Sequence, residues 1–200
     1  PYSKEFEKRQ VIPVVKYFPG HGATKANSHY FFPVIWNTKK ILEEDILPFK
    51  AAIDNHIDVI MVGHFIIPKF SYFFPTSLSR HTTQYLRNDL KYSNLIMTDD
   101  LFMGIFKFLP KRFLMRKAIN SGMNMIMIKY YDNFFKDFRY LERNQKKLKE
   151  ENIQHSIKLI EQLIKKYHVT NKRIENHLDI AKINKEIERL NEHAKKSLKK

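Results

Sequence analysis

The sequence predicts an α/β fold built on a parallel sheet. Four short apolar segments, each followed by polar residues, alternate with segments that have the apolar spacing of helices. Strands that helices cover on both faces are typical of parallel sheets, and they form continuous runs of Val, Ile, Leu or Met. With 43% hydrophobic and 14% aromatic residues, the 200-residue chain can bury the core of one domain.

The elements alternate regularly along the chain. The predicted strands are Val11–Val15, Asp58–Val62, Asn94–Met97 and Met123–Ile128. The helical patterns that separate them are Glu43–Asn55, Ser79–Leu90 and Lys111–Asn120. This βα alternation predicts a parallel sheet with helices as the crossover connections.

The chain after His168 has a different character. Apolar residues from Ile180 to Leu198 follow spacings of 3 or 4, with Lys and Glu between them, which predicts a basic amphipathic helix. We therefore predict a domain over residues 1–168 and a helical tail over residues 169–200. The tail is expected to pack on the outside of the domain or on another chain, and it is too short to indicate a coiled coil.

Two of the predicted strands end in loops that are rich in polar and charged side chains. Val11–Val15 runs into Lys16–His29, with the sequence KYFPGHGATKANSH, and Asn94–Met97 runs into Thr98–Gly104, with the sequence TDDLFMG. Because the carboxyl ends of parallel strands meet at one edge of a sheet, these loops are expected to form one active-site rim.

The two loop motifs resemble family 3 glycoside hydrolases, specifically the bacterial β-N-acetylglucosaminidase branch, whose motifs are roughly KHFPGHG(x)nDSH and TDDLxMG. The resemblance covers about residues 10–167 and includes Ser156–Tyr167, which is similar to the closing barrel helix of the family. Further similar segments are Leu47–Ile53, Val59–His64, Pro75–Ser79 and Ser121–Met125.

What the resemblance implies is a (β/α)8 barrel, which typically needs about 250 residues. The four predicted strands match the second half of that barrel. We therefore expect a partial barrel of about four βα units, followed by the helical extension. The missing first half is expected to be supplied elsewhere in the native gene product, or the chain self-associates to cover its open strand edges.

The resemblance also implies retaining cleavage of a glycosidic bond, in which one group attacks the anomeric carbon and another serves as acid and then base. The position of the family nucleophile is Asp99, and a carboxylate is ionised near neutral pH and leaves again when water attacks. The position of the acid/base is His29, because this branch uses a histidine, whose ordinary pKa of about 6.5 suits both roles. The alternative for Asp99 and Asp100 is capping of the next helix, which for Asp100 is equally supported.

One member of the catalytic pair departs from the family pattern. The family places an Asp two residues before the acid/base His, and Asn27 stands at that position. An Asp would orient the imidazole and stabilise its protonated form, whereas Asn can accept a hydrogen bond but supplies no charge. We expect this change to lower activity.

The resemblance assigns sugar contacts to the first motif. Lys16 matches the lysine that contacts the sugar, and Tyr17 stands where the family has His. His21 and His64 also point to the rim as substrate-binding residues, or they orient its loops. Asn124 replaces a family Asp and is expected at the same rim.

Composition excludes several other function classes. The chain has no cysteine, so disulfides, thiolate catalysis and cysteine-based zinc sites are ruled out. No histidine spacing predicts a metal site, and the family implies neither metal nor cofactor. No apolar run reaches the roughly 20 residues of a membrane span, and no leader opens the chain. These features favour the cytoplasm, although the compartment stays open because the chain begins inside a recognisable fold.

The net charge of +15 raises the question of nucleic-acid binding. Residues 139–200 carry 17 Lys and Arg against 9 Asp and Glu, and the remaining residues carry 19 against 12. The excess is spread along the chain, and none of the usual nucleic-acid-binding motifs is present. A solvated basic surface is therefore favoured over a specific nucleic-acid site, with attraction to anionic surfaces as a general consequence.

Three functions remain open from the sequence. The first is a retaining glycosidase that removes terminal N-acetyl-β-glucosamine from peptidoglycan-derived or chitin-type sugars. The second is a catalytically impaired remnant of that family, because contacts from the first half of the barrel are missing. The third is a basic module that binds a partner through its tail helix.

Overall fold

The computed structural model describes residues 2–21, 33–72, 74–129, 133–169, 184–185 and 188–189. The chain divides into two units, Pro1–Val169 and Thr170–Lys200. The predicted amphipathic tail lies outside the described residues, except for two helical pairs at 184–185 and 188–189, so it stays a prediction.

The first unit has a small parallel sheet at its centre. Its strands are β1 (Val14–Phe18), β2 (Val59–Val62) and β3 (Leu95–Thr98), hydrogen-bonded in the order β1-β2-β3. All four side chains of β2 are buried, as expected for an apolar strand that is covered on both faces. The predicted mixed α/β fold with a parallel sheet is confirmed.

The helices surround this sheet. They are α1 (Tyr2–Lys8), α2 (Thr38–Lys40), α3 (Leu47–Asp54), α4 (Pro68–Ser71), α5 (Arg80–Gln84), α6 (Lys111–Ser121), α7 (Phe134–Arg143) and α8 (Glu150–Lys166). Short 3-10 turns occur at Thr76–Leu78, Gly104–Phe106 and Gln145–Lys147. Two predicted helices are interrupted by π-helical turns, Ile41–Asp45 and Tyr85–Asp89, which apolar spacing alone does not reveal.

Helix ends follow elementary rules. The helix α3 has a proline in its first turn, where the missing N–H costs nothing, and α6 ends at Gly122 with a φ of +97°. The helix α8 begins with Glu150 and Glu151 and ends with Lys165 and Lys166, so both ends complement the helix dipole.

The first strand differs from its prediction. We expected Val11–Val15, but β1 is Val14–Phe18, so part of the Lys16 motif is strand rather than loop. Pro13 has no N–H to give to a ladder, which delays the start of the strand. The peptide bonds Lys16–Tyr17 and Phe18–Pro19 are cis, and the register with β2 shifts between Val15 and Phe18.

The fourth predicted strand, Met123–Ile128, is reduced to one bridge between Met97 and Met125. The segment does run beside β3, because the Thr98 N–H donates to the Met125 carbonyl over 3.1 Å. However, the Met127 N–H donates to the Thr98 side-chain oxygen over 3.1 Å rather than to a backbone carbonyl. This side-chain acceptor takes the place of a ladder bond and ends the regular pairing.

The helix α8 is tied to the amino end of the sheet by a buried carboxylate. Asp58, immediately before β2, is 8% exposed, and its Oδ2 accepts hydrogen bonds from Lys166 Nζ at 2.6 Å and from the Tyr167 hydroxyl at 2.5 Å. Burial, followed by this hydrogen bond, raises the pKa of Tyr167 well above its ordinary value. These bonds join residues more than 100 positions apart in the chain.

No helix in the described part of the chain is both long enough and apolar enough to span a bilayer.

Candidate active site

A cavity of about 370 Å³ lies at the carboxyl ends of the three strands. Each strand contributes to it, as the rim prediction requires. The residues that line it are Tyr17, His21, Gly63, His64, Phe65, Asp99, Asp100 and Met103. The structure therefore brings four of the predicted site residues together: Tyr17, His21, His64 and Asp99.

Asp99 follows β3 directly and lines the cavity. Its backbone N–H donates to the Val62 carbonyl over 2.9 Å, which extends the pairing of β3 with β2 by one residue. Its Oδ1 accepts a hydrogen bond from the Asp100 N–H at 2.8 Å. Among the described residues nothing donates to Oδ2, so this carboxylate oxygen keeps its lone pairs available.

His64 follows β2 and is 2% exposed. Its Nε2 lies 3.0 Å from the Asp100 carbonyl oxygen and its Nδ1 lies 2.6 Å from the Ser77 hydroxyl. A carbonyl can only accept, so Nε2 carries the proton and Ser77 donates to Nδ1. Burial lowers the pKa of His64, against smaller raising effects of the Asp100 carbonyl and of the Asp99 and Asp100 charges, and this favours the neutral ring.

Both ring nitrogens of His64 are thus engaged by the protein. The ring also packs edge-on against Phe106, with 4.7 Å between ring centroids. These contacts fix the segment that follows β3 relative to the segment that follows β2. Of the two roles expected from the sequence, the geometry favours orienting the Asp99 loop, whereas a sugar contact stays a prediction.

Asp100 holds the turn after β3. Its Oδ1 accepts hydrogen bonds from the Phe102 N–H at 2.9 Å and the Lys129 N–H at 3.2 Å. The carboxylate therefore caps a turn. It also binds the backbone directly after the predicted fourth strand, Met123–Ile128, to that turn. This matches the capping alternative for Asp100, although a turn rather than a long helix follows.

Three aromatic rings form a further part of the cavity wall. The His21 ring lies 5.2 Å from the Phe65 ring and 6.3 Å from the Tyr17 ring, both in edge-to-face arrangements. Gly63 permits this packing, because a Cβ at that position would lie 2.3 Å from a Phe65 ring carbon and 3.1 Å from the Tyr17 Cβ. Phe65 was not predicted from the sequence.

Lys16 is not among the residues that line this cavity. It is exposed, and its ammonium lies 4.9 Å from the centroid of the Tyr17 ring. It borders a neighbouring depression together with Glu44 and Asp45. Tyr17 lines both the cavity and this depression, whereas Lys16 lines the depression alone.

His29 and Asn27 lie outside the described residues, so their assignments stay predictions. Asn124 is described, and its expected place at the rim is wrong. Its Oδ1 accepts hydrogen bonds from the Ile96 N–H at 2.9 Å and from Arg87 Nη2 at 2.7 Å. Ile96 lies in the first half of β3, so Asn124 belongs to the interior packing away from the carboxyl ends.

Sequence reasoning also missed Ser77, which is fully buried and donates to His64. Its neighbour Thr76 donates to the Gly63 carbonyl at 2.7 Å and accepts from the Phe65 N–H at 3.1 Å. The available signal was the resemblance of the Pro75–Ser79 segment to the family. The described residues contain no group of three or more His, Asp or Glu side chains arranged to hold a metal ion.

The profile of the Glycosyl hydrolase family 3 N terminal domain matches residues 2–183. The chain belongs to glycoside hydrolase family 3. The small parallel sheet with its surrounding helices is consistent with the N-terminal barrel domain of this family.

Curated relatives of the family 3 chain are named beta-hexosaminidase. The protein of Methylobacillus flagellatus is 34% identical over 119 residues, which cover 58% of this chain and 34% of that protein. The protein of Nitrosomonas eutropha is 31% identical over 120 residues, covering 59% of this chain and 34% of that protein. The matched part is thus about a third of each relative's length.

Solved structures give the same fold. A family 3 β-N-acetylglucosaminidase from Paenibacillus sp. superposes with a TM-score of 0.77 at 24% identity, covering 88% of this chain and 36% of the other. The β-N-acetylglucosaminidase from Thermotoga maritima gives a TM-score of 0.70 at 25% identity, covering 86% of this chain and 38% of the other.

Proposed function

We propose that this family 3 chain forms the second half of a (β/α)8 glycosidase barrel that removes terminal N-acetyl-β-glucosamine from peptidoglycan-derived or chitin-type sugars. The observation that carries the proposal is the Asp99 carboxylate on the wall of a cavity at the carboxyl ends of parallel strands. This is the edge at which barrel enzymes hold their catalytic residues. The beta-hexosaminidase names of the curated relatives support the substrate class.

Asp99 is proposed as the nucleophile of a retaining reaction. Its Oδ2 attacks the anomeric carbon, the leaving oxygen takes a proton, and water then cleaves the glycosyl ester. The Asp100 N–H on Oδ1 fixes the rotation of the carboxylate and leaves Oδ2 directed to the reaction. His64 acts as a positioning residue, because its bond to the Asp100 carbonyl holds the same backbone unit in place.

The proton is proposed to come from His29, paired with Asn27, both of which follow His21 in the sequence. The rings of His21, Tyr17 and Phe65 supply an apolar wall against which the face of a sugar ring can pack. Lys16 reaches a bound sugar only from the neighbouring depression, so we assign it to the rim of the site rather than to the reacting ring.

The half-barrel part of the proposal is supported by the state of β1. Within the described residues this strand pairs only with β2. A complete barrel has no free edges. Pairing with a first barrel half, or with a second copy of the chain, would cover this edge.

A second candidate function is an impaired remnant of the same family. The observation that favours it is Asn27 in place of the expected Asp, which removes the charge that would stabilise a protonated His29. Under this alternative the Asp99 cavity persists but turnover is slow or absent.

The test uses an aryl N-acetyl-β-glucosaminide that carries a 5-fluoro substituent, so that the glycosyl ester accumulates. The chain is assayed alone and mixed with the first barrel half of a relative, and the labelled peptide is located by mass spectrometry. We expect the label on Asp99, no label in Asp99→Asn, and normal labelling in Asp54→Asn, a matched exposed control on α3. A label on another residue would refute the nucleophile assignment. Absence of label in both preparations would favour the remnant.

A further inference from the structure

The helix α7 presents an aromatic surface that the proposed glycosidase site does not use. Phe135 and Phe138 are 60% and 51% exposed, while Leu141 on the same helix is buried. The Phe134 ring stacks on Phe138 with 6.3 Å between centroids and contacts Phe135 at 5.3 Å. Three neighbouring phenyl rings therefore form one ridge along an exposed side of the helix.

A cationic hollow adjoins this ridge. It measures about 310 Å³ and lies between α7 and the start of α6. Its wall is formed mostly by the apolar parts of six side chains, of which four end in a cation and one in a carboxylate; they are Arg112, Lys136, Arg139, Arg143, Asp137 and Tyr140. The Arg112 guanidinium lies 4.9 Å from the centroid of the Tyr140 ring, which joins the charge of α6 to α7.

The helical positions place ridge and hollow side by side. At 100° per residue, Phe134, Phe135 and Phe138 fall within one arc of about 100°, and the exposed Glu142 of the last turn falls in the same arc. Lys136, Arg139 and Arg143 fall within the next arc. A helix with aromatic residues on one arc and cations beside it is typical of segments that lie in the interface of a membrane.

We propose that α7 docks on an anionic lipid surface, with Phe135 and Phe138 inserted at the level of the lipid head groups and the cationic hollow facing their phosphates. The charge of the hollow is complementary to such a surface, because the four cations exceed the single carboxylate by three. The rest of the chain adds to the attraction through its net charge of +15.

Other occupants fit less well. Nucleic acid would be bound by the cations alone, whereas the phenyl rings of Phe134 and Phe138 stack on each other and leave little face for bases. A first barrel half would cover the ridge but would have to bring carboxylates to match the hollow. Lipid head groups meet both the aromatic and the cationic requirement at once.

The test is co-sedimentation of the full chain with vesicles of phosphatidylcholine alone or with 30% phosphatidylglycerol, at two salt concentrations. The variants are Phe135→Ser/Phe138→Ser for the ridge and Arg139→Glu/Arg143→Glu for the hollow. Lys50→Glu/Lys91→Glu, two exposed lysines on other elements, has the same change in net charge and serves as the control. Circular dichroism checks that each variant is folded.

We expect binding to anionic vesicles only, reduced about tenfold or more by either α7 variant and by less than about twofold in the control. Competition with inorganic phosphate at millimolar concentration is expected to have little effect, which separates a lipid surface from a free-phosphate site. Equal loss in the control and in the α7 variants would overturn the proposal. So would binding of a nucleic-acid duplex, or protection of the ridge by a first barrel half in place of vesicle binding.

Discussion

The neutral, buried His64 makes a specific prediction about how stability depends on pH. Burial lowers its pKa in the folded chain, whereas the unfolded chain keeps the ordinary value of about 6.5. Below that pH the unfolded state binds one more proton than the folded state, so the free energy of unfolding must fall as pH is lowered. One proton corresponds to about 1.4 kcal/mol per pH unit, down to the folded pKa.

The perturbation is His64→Gln. It removes the titrating group, keeps an N–H donor of similar reach for the Asp100 carbonyl, and leaves the Ser77 hydroxyl without its present acceptor. We expect the variant to be less stable by about 1–3 kcal/mol at pH 7.5, because a buried polar group loses its partner. The difference in free energy of unfolding between wild type and His64→Gln should become smaller as pH falls below 6.5.

The assay is urea unfolding of both proteins from pH 7.5 to pH 5.0, with His81→Gln as an exposed control. The difference in free energy of unfolding between the two proteins cancels the contribution of the other groups that titrate in this range. One of them is His155, whose pKa is also lowered, chiefly by burial and then by Arg87 and Lys158. Parallel pH profiles for wild type and His64→Gln would refute the assignment of a neutral folded His64.

The remaining predictions concern catalysis and assembly. With the first barrel half supplied, Asn27→Asp should raise kcat about tenfold or more, equivalent to roughly 1.4 kcal/mol of barrier, and the gain should vanish in a His29→Ala background. An equal gain without His29 would remove the acid/base assignment. Because β1 has a strand partner on one side only among the described residues, the isolated chain should self-associate in sedimentation velocity, and adding a first barrel half should reduce this association. A monodisperse monomer that melts cooperatively would contradict the half-barrel proposal.

The parts of the fold that follow from local apolar pattern were predictable. Asp58–Val62 and Asn94–Met97 were expected as strands and appear as Val59–Val62 and Leu95–Thr98. Short continuous apolar runs of this kind are typical of the buried strands of a parallel sheet. Lys111–Asn120 was expected and α6 ends one residue later, at Ser121, which Gly122 follows. The helix α7 was not predicted. Its exposed phenylalanines obscure the apolar spacing by which a helix that packs on a core is recognised.

The site was predictable where residues follow strands directly. Asp99 reaches the cavity for that reason, whereas Tyr17 reaches it from within β1. Ser77 could not be deduced, because its pairing with His64 depends on how a separate turn packs. Asn124 was misplaced for a related reason: its position in the sequence indicates a strand, but only the hydrogen bond to Ile96 tells which end of the sheet it occupies.

The bonds from Asp58 to Lys166 and Tyr167 have a consequence for folding during synthesis. The carboxylate that precedes β2 leaves the ribosome more than 100 residues before its partners do. Before Lys166 and Tyr167 are synthesised, the Asp58 carboxylate is either exposed to water or buried without these partners. The amino end of the sheet therefore cannot reach its final packing early. A nascent chain halted before residue 166 should expose this end of β2, and release of the last turn of α8 should complete the domain in one late step.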